Sequence, residues 1–322
     1  MNKMISEEVQ YLDIIKDILD NGIWKEAARE GMPRTKEVFF RTMSFDMSDG
    51  SYPLFTTKKM AWKTCLTELT WFLKGDTNIK YLIDNNCNIW TDDAYKWYLK
   101  LSKNEVKQYS KEEFIELVKE GVNFAFKTDS GNDSLISLRK HYVAGDLGKV
   151  YGAQWRKFGN GFDQIEYIID SIKNRPNERY HIINAWNGDD FLSNRENVAL
   201  PACHVFYQFC VNGDKLDLMM VQRSCDMFLG VPFDIASGAA LLMIIAHHTG
   251  YKPGMFHWVG NSCHLYENHL EQAKELITRK PFEFPRLRIN WQNDVKDYIR
   301  EDFELIGYMS HDKIYAPLSV GV

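Results

Sequence analysis

"HVFYQFCVNGDKLDLMMVQRSCDMFLGVPFDIASGAALLMIIAHHTG" (204–250) decides the architecture. Its first half alternates apolar and polar residues on either side of Asn212-Gly213, a dipeptide suited to a tight hairpin, so two antiparallel strands are expected. Its second half, "FDIASGAALLMIIAHHTG" (233–250), is apolar almost all round and stops at Gly250, as a helix enclosed in a core does.

Working outward, "GFDQIEYIIDSIKNRP" reads as a helix up to Pro176, "YHIINAWN" as a strand and "HLYENHLEQAKELITR" as an amphipathic helix. A first helix runs from about Ser6 to Gly22, with Val9, Leu12, Ile15 and Leu19 at helical spacing, and "VFFRTMSFDMSDG" alternates as a strand before a turn. "WKTCLTELTWFLKG" (62–75) reads as a second buried helix, with Glu68 an anomaly inside it. The stretch 99–148 is more polar; a Ser110/Glu113 capping box and Gly121 mark a surface helix there, and we read this stretch as a small subdomain inserted into a single domain. Strands and helices that do not alternate strictly predict an α+β fold.

Bulk properties narrow the function. The 322 residues are 45% hydrophobic, enough for a sizeable core, and the net charge of −5 lacks the basic footprint of a protein that binds nucleic acid or an anionic membrane. The start, "MNKMISEEVQYLDII", places Glu7, Glu8 and Asp13 where a signal peptide needs an apolar run. No later run approaches ~18 apolar residues, so a cytoplasmic protein without a membrane span is expected. Six cysteines without a C-x-x-C pair predict reduced thiols and no metal.

Cys203 follows Leu-Pro at the start of a strand, a fixed place from which a thiolate could project into a cleft, although a cysteine there is more often a packing residue. Arg223, one hairpin away, could lower its pKa, and with Ser224 offers charge-assisted donors to a phosphate. Asp234 lies in a segment too apolar to face water. It is either a helix N-cap or a carboxyl in a dry pocket, its pKa raised by desolvation. Glu68 in its buried helix is likewise either paired or catalytic.

The blocks "TELTWFLKGDTNIKYL", "VYGAQWR", "RYHIINAWN", "LPACHVFYQF", "QRSCDMFLGVPFDIAS" and "GNSCHLYENHLEQAKE" resemble, in order and over nearly the whole chain, the thymidylate synthase family. The resemblance implies a large mixed sheet, a sheet-to-sheet homodimer, a pyrimidine nucleoside monophosphate substrate and 5,10-methylenetetrahydrofolate as one-carbon donor. It makes Cys203 the nucleophile for C6 of the pyrimidine, Glu68 the manager of proton transfers and Tyr151 the assistant in removing the C5 proton. His204 falls near the C4 substituent, and His264 and Tyr266 match the ribose pair. Arg223, Ser224 and Gln222 fall on the substrate, Arg179 matches a phosphate ligand reaching across the dimer, and Arg34 is a further phosphate candidate. Trp90, Ile89, Asp226, Gly230 and Lys58 fall on the folate side.

One departure points to the substrate. In that family the position of Asp234 is an asparagine that accepts from uracil N3–H and donates to O4. A carboxyl accepts from an exocyclic amine and, when it holds a proton, gives that proton toward N3, so Asp234 reads here as a cytosine selector, resembling the cytidylate 5-hydroxymethyltransferases of the family. These hydroxymethylate C5 of CMP or dCMP. Gly238, where a bulky tyrosine is common, tilts the expectation to CMP by leaving room for a ribose 2′-hydroxyl. The alternatives are a thymidylate synthase acting on dUMP and a catalytically silent nucleotide or RNA binder. Other departures are Tyr180 in place of a second arginine, a shortened loop at "MPRTKEVFF" and the tail "APLSVGV".

Overall fold

The computed structural model describes residues 6–27, 31–127, 139–190 and 198–317. In chain order these form α1 (Val9–Asn21), β1 (Ile23–Lys25), β2 (Thr35–Asp46), α2 (Trp62–Leu73), α3 (Lys80–Asp84), α4 (Thr91–Leu101), α5 (Lys111–Glu120), β3 (Asn123–Lys127), β4 (Arg139–Val143), α6 (Tyr151–Arg156), α7 (Gln164–Asn174) and β5 (Ile182–Asn184). There follow β6 (His204–Asn212), β7 (Lys215–Asp226), α8 (Gly230–Thr249), β8 (Lys252–Tyr266), α9 (Leu270–Leu276), β9 (Arg286–Ile289) and β10 (Phe303–Ile306).

A six-stranded sheet in the order β1-β2-β8-β7-β6-β5 organises the molecule. The hairpin at Asn212-Gly213 forms as expected, with Asn212 opposite Lys215. β7 and β8 run parallel, in register from Leu218 opposite Phe256 to Asp226 opposite His264. Parallel neighbours need a crossover, and α8 supplies it. The result is the mixed α+β architecture that the sequence predicts.

One expectation fails here. "HLYENHLEQAKELITR" is not helical from its start: β8 continues through Tyr266, because Thr35 and Lys36 of β2 pair with Tyr266 and Leu265, and the helix begins at Leu270. Local amphipathicity is overridden by that long-range pairing. α8 is, by length and composition alone, long and apolar enough to cross a membrane, although Asp234 and two histidines interrupt its small and apolar residues. It is nevertheless a core helix, 72% buried over its most apolar window, lying on β7 and β8 and against α2.

The segment 99–148 comprises the end of α4, α5 and the β3–β4 hairpin. α5 has the expected capping box at Ser110 and a left-handed Gly121. The unit packs through its own aromatic cluster, in which Tyr98 stacks on Phe114 at 5.0 Å and Phe124 on Phe126 at 5.1 Å.

Gly238 corrects another expectation. A Cβ at this position would lie 2.7 Å from Phe256 Cζ and 3.3 Å from Met220 Sδ. The absent side chain is replaced by the ring of Phe256, itself stacked on Phe45 at 6.1 Å, so no extra room opens toward a sugar. Gly238→Ala is therefore expected to destabilise the protein: overpacking against a locked aromatic costs about 1–3 kcal/mol, more than the ~1 kcal/mol that alanine contributes over glycine in a helix. Thermal unfolding checks this; a raised Tm contradicts it.

Candidate active site

A cavity of about 770 Å³ lies where β2, β7 and β8 end against α2, α6 and α8. Its walls hold Glu68, Ile89, Trp90, Tyr151, Cys203, His204, Gln222, Arg223, Ser224, Asp226, Gly230, Asp234, His264 and Tyr266. The sequence scatters these residues over two hundred positions; the sheet and its crossover collect them.

Cys203 is half-buried at the entry to β6. Its backbone N–H donates to the Tyr151 phenol oxygen at 2.6 Å, and that of His204 to the same oxygen at 3.4 Å. Tyr151 stacks on the His204 ring at 4.2 Å, which fixes both rings beside the thiol. Arg223 reaches back across the hairpin, donating Nε–H to Ala202 O at 2.7 Å and Nη2–H to Pro201 O at 3.2 Å, with its guanidinium over Trp186. The cation thereby props the turn that presents Cys203, and with Ser224 on the same cavity wall it offers charge-assisted donors to an anionic ligand.

Two carboxyls face each other across the cavity. Glu68 on α2 accepts from the Trp90 indole N–H at 2.6 Å; burial lifts its pKa to about 7 although that hydrogen bond pulls downward. Asp234 lies one turn into α8. The N-cap position of α8 is Leu229, so the N-cap reading of Asp234 is excluded; Asp226 Oδ1 accepts from the backbone N–H of Phe228 and Leu229 at 3.0 and 3.2 Å in the turn that leads into the helix. Burial, then repulsion from Glu68, pushes Asp234 up to about 8 against the lowering effect of the Gln222 hydrogen bond. His204 is driven the other way by burial, down to about 3, so its ring is neutral. Its Nδ1 contacts the Tyr207 hydroxyl, and its Nε2 lies 3.6 Å from Asp234 Oδ1.

Two expected residues, Lys58 and Arg34, sit elsewhere. Lys58 does not line the cavity: its Nζ donates to Phe228 O over the Phe228 ring, and desolvation lowers its pKa to about 8. A buried Glu8 holds this loop, accepting from backbone and hydroxyl of both Thr56 and Thr57. Arg34 is turned away into an ion pair with Glu267 and stacks 4.6 Å over Trp24. Arg179 is exposed outside its own chain's cavity. Of the tail "APLSVGV", residues 318–322 lie outside the described residues. Among the described residues, no group of three His, Cys, Asp or Glu side chains is placed to hold a metal.

Sequence reasoning missed Trp258 and Tyr207. Trp258 lies on β8, which was not read as a strand, and its N–H holds Gln222 at 2.9 Å. The alternation around it was the available signal. Lys25 and Glu37, an ion pair on the cavity wall, left no sequence signal.

A thiol, a guanidinium and two desolvated carboxyls lining one cavity are the groups that an enzyme working by thiol addition needs. Comparison with known proteins narrows that class. The sequence profile described as thymidylate synthase matches residues 9–320. The chain is 43% identical over 313 residues to the thymidylate synthase of Mycoplasma genitalium, and 42% identical over 313 residues to that of Mycoplasma mobile; each match covers 97% of this chain and 99% of the relative. It is also 43% identical over 294 residues to the thymidylate synthase of Staphylococcus haemolyticus, covering 88% of this chain and 89% of the relative. The chain belongs to the thymidylate synthase family, and is thus a one-carbon transferase of nucleotide biosynthesis.

These relatives overturn the substrate expected from Asp234. Near-full-length matches at about 40% identity all carry the name thymidylate synthase, against hydroxymethylation of a cytosine nucleotide. The raised pKa expected of Asp234 is observed, but a neutral acid carries both a donor and an acceptor and so pairs with uracil as well as with cytosine; residue type at this position does not by itself select the base.

Trp90→Phe removes the donor that stabilises charged Glu68. The ascending limb of the kcat/KM profile, set by Glu68, should therefore move to higher pH. A limb that stays in place in steady-state assays across pH contradicts this role for Trp90.

Proposed function

We propose that the protein is a thymidylate synthase converting dUMP to dTMP with 5,10-methylenetetrahydrofolate as co-substrate. The observation that carries the reading is the convergence of Cys203, Arg223, Glu68, Tyr151 and Asp234 on one cavity, in a chain whose relatives at about 40% identity bear that name.

The Cys203 thiolate adds to C6 of the pyrimidine, and the electron pair moves onto C5 and O4, making C5 nucleophilic. Ser224 and Arg223 hold the phosphate, and His264 with Tyr266 hold the sugar; the His264 ring is oriented by Nδ1 at 3.1 Å from Ser262 O. Tyr151, whose oxygen already accepts two backbone N–H groups, assists removal of the C5 proton. Glu68, with a pKa of about 7, can both give and take protons near neutrality. Bound methylenetetrahydrofolate supplies the one-carbon unit and the hydride that completes the methyl group, leaving as dihydrofolate. The wall formed by Trp90, Ile89, Leu200 and Pro201, with Asp226 at its edge, suits a flat heterocycle carrying polar edges. Return of the electron pair then expels Cys203 from C6.

We also place the protein in the cytoplasm as a homodimer joined sheet to sheet. Phe206, Val221 and Val259 stand in one row across β6, β7 and β8, half-buried on the face opposite α8, with Met219 and His257 in the next row. Such a row suits a second copy, and Arg179 would then be free to reach the partner's phosphate.

The test incubates the protein with dUMP and methylenetetrahydrofolate. Equimolar dTMP and dihydrofolate are expected, and Cys203→Ala should lower turnover by roughly 10⁴-fold or more. Turnover of a cytidine nucleotide with none of dUMP contradicts the proposal.

A further inference from the structure

We propose that the protein carries a second binding site, at the end of α8 far from the thiol, for a small aromatic carboxylate. The proposal does not depend on which nucleotide the active-site cavity takes.

A separate cavity of about 480 Å³ lies among the last turns of α8, the turn that follows β2, the start of β8 and the paired strands β9 and β10. That volume falls within the ~300–1,000 Å³ of ordinary small-molecule sites. None of its lining residues lines the active-site cavity. Asp234 lines the first cavity and His247 the second, about 20 Å further along the same helix at ~1.5 Å per residue. A second copy joined through the opposite face of the sheet would leave this end of α8 open.

Charge on the wall has one sign. Arg286, Arg288 and Lys252 line the cavity and no Asp or Glu does, in a chain whose net charge is −5. Two of these cations are already matched, Arg288 by Glu304 at 2.7 Å and Lys252 by Asp214 at 2.8 Å. Arg286 has no ion pair among the described residues. Its guanidinium lies over Gly50, where the backbone is left-handed at φ +86° and a Cβ would come 2.9 Å from Arg286 Nη1. Glycine at this turn therefore keeps the group at the cavity wall. Desolvation lowers the His247 pKa, so that ring stays neutral at neutral pH and Arg286 is the cation left to attract an anion. A planar guanidinium presents paired N–H donors that match the two oxygens of a carboxylate.

The remaining wall suits a flat apolar body. His247 stacks on Trp291 with ring centroids 3.9 Å apart and planes 7° from parallel, and both rings line the cavity. Met47, Met243 and Leu287 line it beside them, and methionines fit irregular apolar shapes. Trp291 is 42% exposed, so an aromatic ring seated here removes indole surface from water. An aliphatic anion would leave that aromatic wall unused, and an uncharged arene would leave Arg286 unmatched.

Fluorine NMR on the full-length protein tests the proposal with 4-fluorobenzoate, and with 4-fluorobenzyl alcohol as its uncharged counterpart. Binding of the acid should saturate at roughly millimolar concentration or below, with the alcohol roughly tenfold weaker. Arg286→Met should weaken the acid roughly tenfold and leave the alcohol within about twofold, whereas Arg223→Met in the active-site cavity should change neither. Trp291→Ala should weaken both probes, a loss that removal of the charge alone does not give. If Arg286→Met does not fold, the preference of the wild type for the acid, together with the weakening of both probes in Trp291→Ala, decides in its place. Absence of saturation, equal affinity for acid and alcohol, an acid affinity untouched by Arg286→Met, or one that falls with Arg223→Met overturns the inference.

Discussion

Desolvation of two carboxyls, Glu68 on α2 and Asp234 on α8, is the constraint on which the rest of the site depends. Each is taken from water by the packing of its helix, and charge on Glu68 adds to the cost of ionising Asp234. In water both would be plain carboxylates near neutrality, neither able to donate. In this cavity one is poised near neutral pH for proton transfer and the other is held as a donor. A surrounding shell of neutral rings and thiols leaves that polarity uncompensated, so the chemistry is set by what the pocket excludes as much as by what it contains.

The fold is arranged to supply that dryness. α8 is the crossover between parallel β7 and β8, and its small residues let it lie close on the sheet; at Gly238 the ring of Phe256 occupies the space that a side chain would take. α2 packs on α8 and brings Glu68 to the same cavity. The two ends of the site are then fixed by backbone contacts: Asp226 holds the Phe228–Leu229 turn that leads into α8, and Arg223 ties the Pro201–Ala202 carbonyls to β7. Positioning of the thiol, the anion ligands and the carboxyls is thus one consequence of the β7-α8-β8 unit.

The elements with strong local signals were legible in the sequence. The Asn212-Gly213 hairpin, the enclosed α8, the Ser110 cap and the anomalous Glu68 all follow from residues that speak for themselves. β8 was less legible, because its last turn of sequence is amphipathic and its pairing with β2 is decided two hundred residues away. Asp234 was legible as a desolvated site residue and misleading as a substrate selector: a neutral acid offers a donor and an acceptor, and that pair fits uracil as well as cytosine. Arg34 carried a further lesson, since the sequence offers a cation and the fold gives it to Glu267.

The protonation state of Asp234 in the free protein is the most direct test of this picture, and it can be observed without turnover. Isotope-edited infrared difference spectra of the wild type against Asp234→Asn should show a protonated carboxyl stretch at neutral pH that disappears as the pH rises through about 8. A carboxylate signature already complete at neutral pH would contradict the account, because the cavity would then not be dry enough to hold the proton.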